Sequence, residues 1–233
     1  MTFSPIPRTG VSDAVYRQLR DAILTGELAA GSSLPGERAL AEQFGVARHG
    51  LREAIRRLQQ ARLVEVSHGG ATRVLDWRTH AGLEVLGDLA ASELARGEIL
   101  RSALEMRLAI GIDAARRAAQ RASSAAAAEL EEFVTGSVGI SDPVALAERY
   151  EQFWRLIIVA GENLAYQLAY NSLVLAMNEN VEVTRELVAP EAADLATQRV
   201  LASAIAAGDV DGAASAARRL TAVMLERLAS VVG

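Results

Sequence analysis

Three arginines in one predicted helix have the spacing that a DNA-reading surface requires. Arg48, Arg52 and Arg56 are four residues apart, so their side chains lie on one face of a helix. Another face of the same helix is apolar and carries Leu51, Ile55 and Leu58. Guanidinium groups donate hydrogen bonds to phosphates and base edges, while an apolar face holds the helix against the protein. The pattern predicts a helix that enters the major groove of duplex DNA.

The elements expected around this helix are those of a winged helix-turn-helix. Periodic apolar residues predict an amphipathic helix from Val11 to about Gly26. A second helix is expected to open near Pro35 and to stop at Gly45, which can adopt a left-handed conformation without a steric clash. The arginine-bearing third helix is expected over about 47–61.

A two-stranded wing is expected after the third helix. Residues 64–66 and 72–74 alternate apolar and polar side chains, and Gly69-Gly70 lies between them. The small tip at residues 67–70 could approach DNA closely, with Arg73 just behind it. Arg38, at the start of the second helix, could reach the DNA backbone beside the groove.

The charge of the chain is unevenly distributed between its two parts. The net charge is −5, but residues 1–78 carry eleven arginines against eight acidic residues, and the remainder is acidic. A positive segment in an acidic protein favours a polyanionic partner for that segment. The chain has no cysteine, no apolar run long enough to span a membrane and no signal-peptide core, so a cytoplasmic protein without membrane contact is expected.

The rest of the chain predicts an all-α helical bundle. From about Gly82 onward there is no strand pattern, and alanine-rich stretches such as 114–119 indicate close helix packing or high helix propensity. Breaks are expected around residues 161–163, at Pro190 and at Gly208-Asp209. The predicted helices span 84–94, 97–121, 124–137, 143–160, 163–181, 190–207 and 210–231.

The first part of the chain resembles the DNA-binding domain of GntR-type bacterial transcription regulators. The resemblance is carried by LPGERALAEQFGVARHGLREAIRRLQQARLVEVSHGG, with its Leu-Pro-x-Glu-Arg start, Gly-Val-x-Arg turn, Leu-Arg-Glu core and His-Gly wing. It implies operator contacts by Arg38, Arg48, Arg52, His68 and Gly69. After the turn, the sequence differs from that of many relatives at Ala47, His49 and Gly50. These differences affect which bases the helix would prefer. The residues expected at the DNA are therefore Arg38, Arg48, His49, Arg52, His68, Gly69 and Arg73.

The second part resembles the helical effector domain of the FadR subfamily. The similar segments are LRSALEMRLAIGIDAARRAAQRA, ERYEQFWRLIIVAGENLAYQL and LASAIAAGDVDGAASAARRL. Many members of that subfamily hold a divalent metal with one aspartate and three histidines. Here Tyr150, Trp154 and Leu220 stand at three of those positions, and Gln198 lies near the fourth. Such a set offers no comparable metal donors, so neither a metal nor another cofactor is expected.

A pocket without metal ligands and with added aromatic residues suits a lipid-like or acyl ligand. Fatty-acyl-CoA-responsive members of the FadR subfamily look metal-free in the same way, and the resemblance extends to Arg107, Tyr150 and Phe153. The candidate ligand residues are Arg107, Tyr150, Phe153 and Trp154, with Arg107 as a possible anion anchor. A long-chain acyl-CoA is the leading interpretation. Another organic acid or lipid, and an unliganded bundle whose aromatic residues simply fill core, remain open.

The predicted protein is mainly α, with a winged helix-turn-helix at residues 11–75 and a ligand-binding and dimerisation bundle at residues 84–233. A flexible arm at 1–10 and a linker at 76–83 complete this division. The implied function is a homodimeric transcription regulator, a repressor or dual regulator, that reads a palindromic operator in double-stranded DNA and answers to a small molecule. An enzyme is disfavoured because the helical part has no cysteine or histidine, and an architectural DNA-binding protein would have no ligand.

Overall fold

A computed structural model describes residues 10–67, 71–91, 96–178 and 181–232. The chain divides into two compact units, residues 1–94 and residues 95–233. The predicted flexible arm, apart from Gly10, and the predicted DNA contacts His68 and Gly69 lie outside the described residues.

The first unit is a winged helix-turn-helix, as predicted. Its helices are α1 (Val11–Thr25), α2 (Glu37–Phe44), α3 (Arg48–Gln60), α4 (Trp77–His80) and α5 (Leu86–Ala91), with a 3-10 turn at Leu83–Val85. Its strands, β1 (Val64–Val66) and β2 (Thr72–Val74), pair antiparallel with Val64 opposite Val74.

The core of the first unit forms where α1 and α2 pack against α3. Leu51, Ile55 and Leu58 of α3 are buried, which confirms the apolar face that their spacing predicted. Gly45 ends α2 with φ 64°, a left-handed conformation that glycine adopts without a Cβ clash. The chain can therefore turn sharply between α2 and α3.

The second unit is helical throughout its described residues. Its elements are α6 (Arg96–Arg121), α7 (Ser124–Thr135), α8 (Pro143–Ala160), α9 (Leu164–Asn178), α10 (Val181–Ala193), α11 (Leu195–Ala206) and α12 (Val210–Val232). The longest two, α6 and α12, pack along each other through buried alanines at 114, 115, 118, 213, 216 and 217. Small side chains let the two helix backbones approach closely. No helix in the described ranges is long and apolar enough to cross a bilayer.

The prediction of a helix break at Pro190 is wrong. Pro190 lies inside α10, in its last turn, and residues 181–189, which the sequence prediction left largely outside any helix, are helical. The break falls four residues later, where the Asp194 side chain accepts a hydrogen bond from the Thr197 N–H at 2.9 Å and caps α11. Proline lacks the N–H that would bond to the carbonyl four residues earlier, so α10 continues past Pro190 without that hydrogen bond.

The division between the units also differs from the predicted one. The sequence prediction assigned residues from 84 onward to the helical bundle, whereas α5 belongs to the first unit. Asp88 is the physical reason, because its carboxylate binds two side chains of α1.

Candidate functional site

The arginine-bearing face of α3 is exposed, as its spacing predicted. Arg48, Arg52 and Arg56 point away from the core, and His49 is exposed in the first turn. Among the described residues, Arg48 and Arg56 make no hydrogen bond or ion pair, so their guanidinium donors are available to an external acceptor. Arg52 donates from Nε to the Glu37 carboxylate at 2.7 Å while 63% of its side chain stays exposed.

Two other predicted DNA-contacting arginines are also at the surface. Arg38 pairs with Glu42 one helical turn away, at 3.1 Å, and both side chains are well exposed. Exposed pairs of this kind contribute little stability, so the Arg38 guanidinium can exchange partners. Arg73 donates from Nε to the Gly31 carbonyl at 3.2 Å, which ties β2 to the loop before α2.

A fourth arginine of α3 faces inward and anchors the helix. The Arg57 guanidinium lies 4.1 Å from the centre of the Tyr16 ring and pairs with Asp13 of α1. A cation over an aromatic face is attracted by the ring quadrupole. Arg57 therefore fixes α3 against α1, a role that sequence reasoning did not assign to it.

Tyr16 and Arg20 of α1 also hold α5. The Tyr16 hydroxyl donates to the Asp88 carboxylate at 2.5 Å, and Arg20 donates to the same group at 2.7 Å. Burial, followed by the hydrogen bond to Asp88, raises the pKa of Tyr16, so its hydroxyl stays protonated. The sequence offered one signal, the spacing of Tyr16 and Arg20 on one face of α1, but nothing that identified Asp88 as their partner.

The second unit contains a cavity of about 210 Å³ between α6, α8, α9 and α10. Glu148 and Arg185 form an exposed lip, and Arg107, Tyr150 and Trp154 form a buried floor. The walls are apolar and include Val144, Leu173, Val174, Met177 and Val188. A pocket with this arrangement can enclose an apolar group and fix it with a few polar contacts.

Three of the four predicted ligand residues meet at this cavity. Arg107, Tyr150 and Trp154 line its floor, whereas Phe153 is fully buried and does not line it. Phe153 instead packs against the rings of Tyr150 and Trp154, with ring centres 6.5 and 6.1 Å away. It supports the floor from behind.

Arg107, predicted as an anion anchor, is already paired within the protein. Its Nη2 donates to Glu191 Oε2 at 2.6 Å and to the Tyr150 hydroxyl at 3.2 Å. The Tyr150 hydroxyl donates to the same Glu191 oxygen at 2.8 Å, and the Met224 N–H donates to Oε1 at 2.9 Å. The positive charge expected to bind an effector is therefore already paired inside the protein.

Burial and the paired charges fix the protonation states on the floor. Burial disfavours the charged form of Arg107, but the Glu191 carboxylate outweighs it and holds the pKa of Arg107 above its ordinary value. Burial raises the pKa of Tyr150 well above its ordinary value, so Tyr150 stays neutral. The floor thus presents a closed ion pair and a neutral hydroxyl.

Trp154 is packed between Tyr150 and α6. Only 2% of the residue is exposed, and its indole N–H lies near the Tyr150 hydroxyl without the geometry of a regular hydrogen bond. The indole atoms Cζ3 and Cη2 lie against Gly111, where a methyl group would come within 3.3 Å of Cη2. Glycine at that position lets the ring sit close to α6.

The positions that hold a metal in the resembled subfamily do not fit one here. Trp154 supplies an indole and Leu220 an aliphatic chain, while Tyr150 is neutral and hydrogen bonded to Glu191. The Gln198 amide donates to the carbonyls of Glu191 and Ala192 at 3.1 and 3.0 Å, so it caps the end of α10. Across the described ranges, no three His, Cys, Asp or Glu side chains are grouped to hold a metal ion.

Glu191 is the site residue that sequence reasoning missed. It is fully buried and joins α6, α8 and α12 through Arg107, Tyr150 and Met224. It directly follows Pro190, at which the sequence predicts a helix break. The available signal was its place in an apolar helical pattern with Leu187 and Val188, both of which are buried.

The comparisons with known proteins agree with both units. Residues 11–74 match the model of bacterial regulatory proteins of the gntR family, and residues 102–222 match the FCD domain model. The HTH-type transcriptional regulator Mce2R of Mycobacterium tuberculosis (strain CDC 1551 / Oshkosh) is 34% identical over 224 residues, 94% of this chain and 92% of the relative. The putative L-lactate dehydrogenase operon regulatory protein of Escherichia coli (strain K12) is 30% identical over 217 residues, 91% and 83% of the two chains.

A solved structure shows the same fold. Lar, which controls the expression of the Listeria monocytogenes agr system, aligns with a TM-score of 0.58 at 17% identity, over 99% of this chain and all of that chain. The family models and the two relatives cover both the winged unit and the helical unit. The chain is therefore a member of the GntR family of bacterial regulatory proteins, a DNA-binding transcription regulator whose second unit is an FCD ligand-binding domain.

Proposed function

We propose that this protein is a homodimeric repressor that binds a palindromic operator. Its affinity for the operator is controlled by an acyl-CoA that binds in the cavity of the second unit. The observation that supports this most directly is that the chain combines an exposed arginine face on α3 with an apolar-walled cavity in the second unit. In this proposal the arginine face reads DNA, and the cavity accepts an apolar group of the effector.

The DNA-reading half of the proposal depends on α3. Arg48 and Arg56 hold free donors on its exposed face, and Arg52 is positioned by Glu37. Arginine binds guanine bidentately in the major groove and also pairs with phosphate. Arg38, His49 and Arg73 complete the proposed contact surface among the described residues, with His68 and Gly69 proposed at the wing tip.

The homodimer is supported by the surface of α9. This helix carries no charged residue, and Leu164, Leu168 and Leu175 are exposed by 59 to 69%. Positions separated by four and seven residues lie on one helix face, so the three leucines share a face, with Asn171 and Ser172 between Leu168 and Leu175. Exposed apolar faces mark interaction surfaces. A second copy of the chain is the proposed partner because two reading heads are needed for a palindrome.

The acyl part of the proposal depends on the size and lining of the cavity. An apolar cavity of about 150 Å³ binds benzene, so one of about 210 Å³ accommodates about eight non-hydrogen atoms. This favours a short acyl group over the long chain considered from the sequence. Arg185 is exposed at the lip and can pair with a phosphate of the CoA moiety outside the cavity.

Control of DNA binding follows from differential affinity. An effector that enters between α8, α9 and α10 shifts the protein toward the arrangement that it binds best. If that arrangement changes the separation of the two winged units in a dimer, they no longer match the spacing of the two half-sites. An effector with equal affinity for both arrangements would leave DNA binding unchanged.

The proposal is tested by fluorescence anisotropy with promoter DNA from the protein's own operon. Hexanoyl-CoA or octanoyl-CoA should release the DNA, and free CoA should not. Native mass spectrometry of the same sample should show two chains with two acyl-CoA molecules. Unchanged operator affinity across acyl-CoAs of all chain lengths would contradict the acyl-CoA effector and leave a regulator with another ligand or with none.

A further inference from the structure

We propose that Asp88 is a positioning residue for DNA binding: by holding the Tyr16 hydroxyl, it keeps the Tyr16 ring against Arg57 and so fixes the orientation of the reading helix α3. The inference rests on the proposed function in one respect, because it assumes that α3 reads the operator. It adds a contribution to operator affinity from α5, a helix that carries none of the residues proposed to contact DNA.

The first step is that the two ends of one side chain serve two different helices. Tyr16 of α1 donates from its hydroxyl to the Asp88 carboxylate of α5 at 2.5 Å. The face of the same ring lies 4.1 Å from the guanidinium carbon of Arg57 in α3. Tyr16 is only 6% exposed, and its ring is rigid, so the hydroxyl and the ring face move together. The position of Asp88 therefore sets where Arg57 finds its aromatic partner.

The second step is electrostatic, because the charges alternate across Tyr16. The Asp88 carboxylate accepts hydrogen bonds from the Tyr16 hydroxyl and, at 2.7 Å, from Arg20. Arg57 lies on the ring face and also pairs with Asp13 of α1. A hydroxyl that donates to a carboxylate is polarised and makes its ring richer in electrons, which strengthens the attraction between the ring and a cation. Loss of Asp88 therefore weakens the contact between Tyr16 and Arg57 as well as its own hydrogen bonds.

The third step is the place of Arg57 on α3. Arg57 follows Arg48 by nine residues, about two and a half turns of an α-helix, so the two side chains lie on opposite sides of α3. Arg57 thus holds the helix from behind its DNA-facing side. The apolar face of α3 holds the helix in the core, but apolar burial is non-directional, whereas hydrogen bonds to a base or phosphate depend steeply on distance and angle. A small rotation of α3 is therefore enough to weaken operator contacts.

Asp88→Ala and Asp21→Ala form a matched pair for testing this inference in the full-length protein. Both remove a carboxylate that accepts a hydrogen bond from Arg20, at 2.7 and 2.8 Å, and both change the net charge equally. Within the described part of the chain, Asp21 bonds to Arg20 and not to Tyr16. The measurement is fluorescence anisotropy with operator and with random duplex at the same salt concentration.

Asp88→Ala should weaken operator binding by about fivefold, the low end of the loss expected for one base contact. Asp21→Ala should leave operator binding unchanged, and the two variants should bind random duplex equally. Equal operator affinity in the two variants would overturn the inference.

Tyr16→Phe is a second, conservative variant that keeps the ring and removes the hydroxyl. It should weaken operator binding by about as much as Asp88→Ala, and the combination of both changes should lose no more than either alone, because each removes the same hydrogen bond. Additive losses would overturn the link between the two residues. If Asp88→Ala does not fold, the comparison of Tyr16→Phe with the unchanged chain decides the inference, and an unchanged operator affinity would overturn it.

Nuclear magnetic resonance supplies a readout that a purely stabilising role would not change. Protons held over the face of an aromatic ring resonate upfield, so the side-chain protons of Arg57 report the position of the Tyr16 ring. At a temperature where circular dichroism shows every variant to be folded, Asp88→Ala should move these resonances toward their values in an unfolded peptide. Asp21→Ala should leave them in place. Unchanged Arg57 resonances in Asp88→Ala would reduce Asp88 to a stabilising contact and overturn the inference.

The α3 variants distinguish failure of the inference from failure of the proposed function. Operator binding that is weakened by Arg48→Ala or Arg52→Ala, but not by Asp88→Ala or Tyr16→Phe, would overturn the inference and leave α3 as the reading helix. Operator binding that is unchanged by both α3 variants would overturn the proposed reading surface and the inference with it.

Discussion

Arg107 Nη2 and Glu191 Oε2 lie 2.6 Å apart in the interior of the helical unit, and the side chains are 8% and 0% exposed. The pair joins α6 to α10, and the Met224 N–H extends the contact to α12. In the resembled subfamily a metal ion and its ligands occupy the corresponding region. Here an internal ion pair connects the helices around the cavity.

We predict that Glu191→Ala destabilises the protein by about 3–5 kcal/mol, because it leaves the buried guanidinium of Arg107 without a partner. The measurement is urea denaturation followed by circular dichroism. Replacing both residues with methionine should lose less stability than Glu191→Ala alone, since it leaves no buried charge. Equal losses in the single and double variants would show that packing, rather than charge pairing, is the main role of Glu191.

The features that could be predicted from the sequence are those set by local patterns. The helical spacing of Arg48, Arg52, Leu51 and Ile55 is enough to assign both faces of α3, because a helix turns through a fixed angle per residue. Gly45 likewise predicts the end of α2 from the sequence alone, since few other residues adopt its left-handed backbone conformation. These predictions needed no knowledge of distant contacts, and the structure confirms them.

The features that could not be predicted depend on partners distant in sequence. Glu191 pairs with Arg107 across 84 residues, and Asp88 pairs with Arg20 across 68. The apolar pattern around Glu191 could have indicated burial but not its partner, and the local pattern around Asp88 indicates neither. Pro190 added a misleading local signal, because α10 continues through it to Ala193 although proline removes one backbone hydrogen bond.

On the DNA-binding face, Arg48→Ala or Arg52→Ala should weaken operator binding by about 1–3 kcal/mol if the residue reads a base bidentately. Sequence preference should fall as well, because phosphate contacts alone are insensitive to sequence. The measurement is fluorescence anisotropy with operator and with random duplex at the same salt concentration. Arg199→Ala is the matched control, since it removes an exposed arginine from α11 and changes the net charge equally. Unchanged binding by both α3 variants would mean that α3 is not the reading helix.

Asp88→Asn should loosen α5 from α1, because it weakens the hydrogen bonds from Tyr16 and Arg20. Hydrogen bonds to charged groups contribute about 1.5–3 kcal/mol each, so amide exchange across residues 86–89 should speed up by at least about tenfold. The measurement is hydrogen exchange followed by mass spectrometry. Glu84→Gln is the control, since the one bond that Glu84 makes within the described part of the chain is from the nearby Gly82 N–H at 3.0 Å. Similar exchange in the Asp88 and Glu84 variants would contradict the role of Asp88.

The surroundings of Asp113 predict that a part of the free energy of unfolding is lost at acid pH. Hydrogen bonds from Arg117 at 2.8 Å and from Tyr166 at 2.9 Å hold the pKa of Asp113 below its ordinary value. A carboxylate with a lowered folded-state pKa stabilises the fold above about pH 4, and this contribution is lost as the pH falls through the folded pKa. Asp113→Asn should therefore reduce the loss of unfolding free energy below about pH 4. The effect should stay below about 1 kcal/mol because the side chain is 43% exposed. An unchanged slope of unfolding free energy against pH would contradict this contribution.

The proposed dimer surface on α9 can be tested with a single charge. Leu168 is 59% exposed and lies between Leu164 and Leu175 on the uncharged face of the helix. Leu168→Glu should convert a dimer into a monomer in analytical ultracentrifugation, because burying the new carboxylate against a second copy would leave it unpaired. Folding of the monomer should be unaffected, since the position is at the surface. Val138→Glu is the matched control, because Val138 is 58% exposed but lies outside α9. A Leu168→Glu protein that remains dimeric at micromolar concentration would place the contact between copies on another surface.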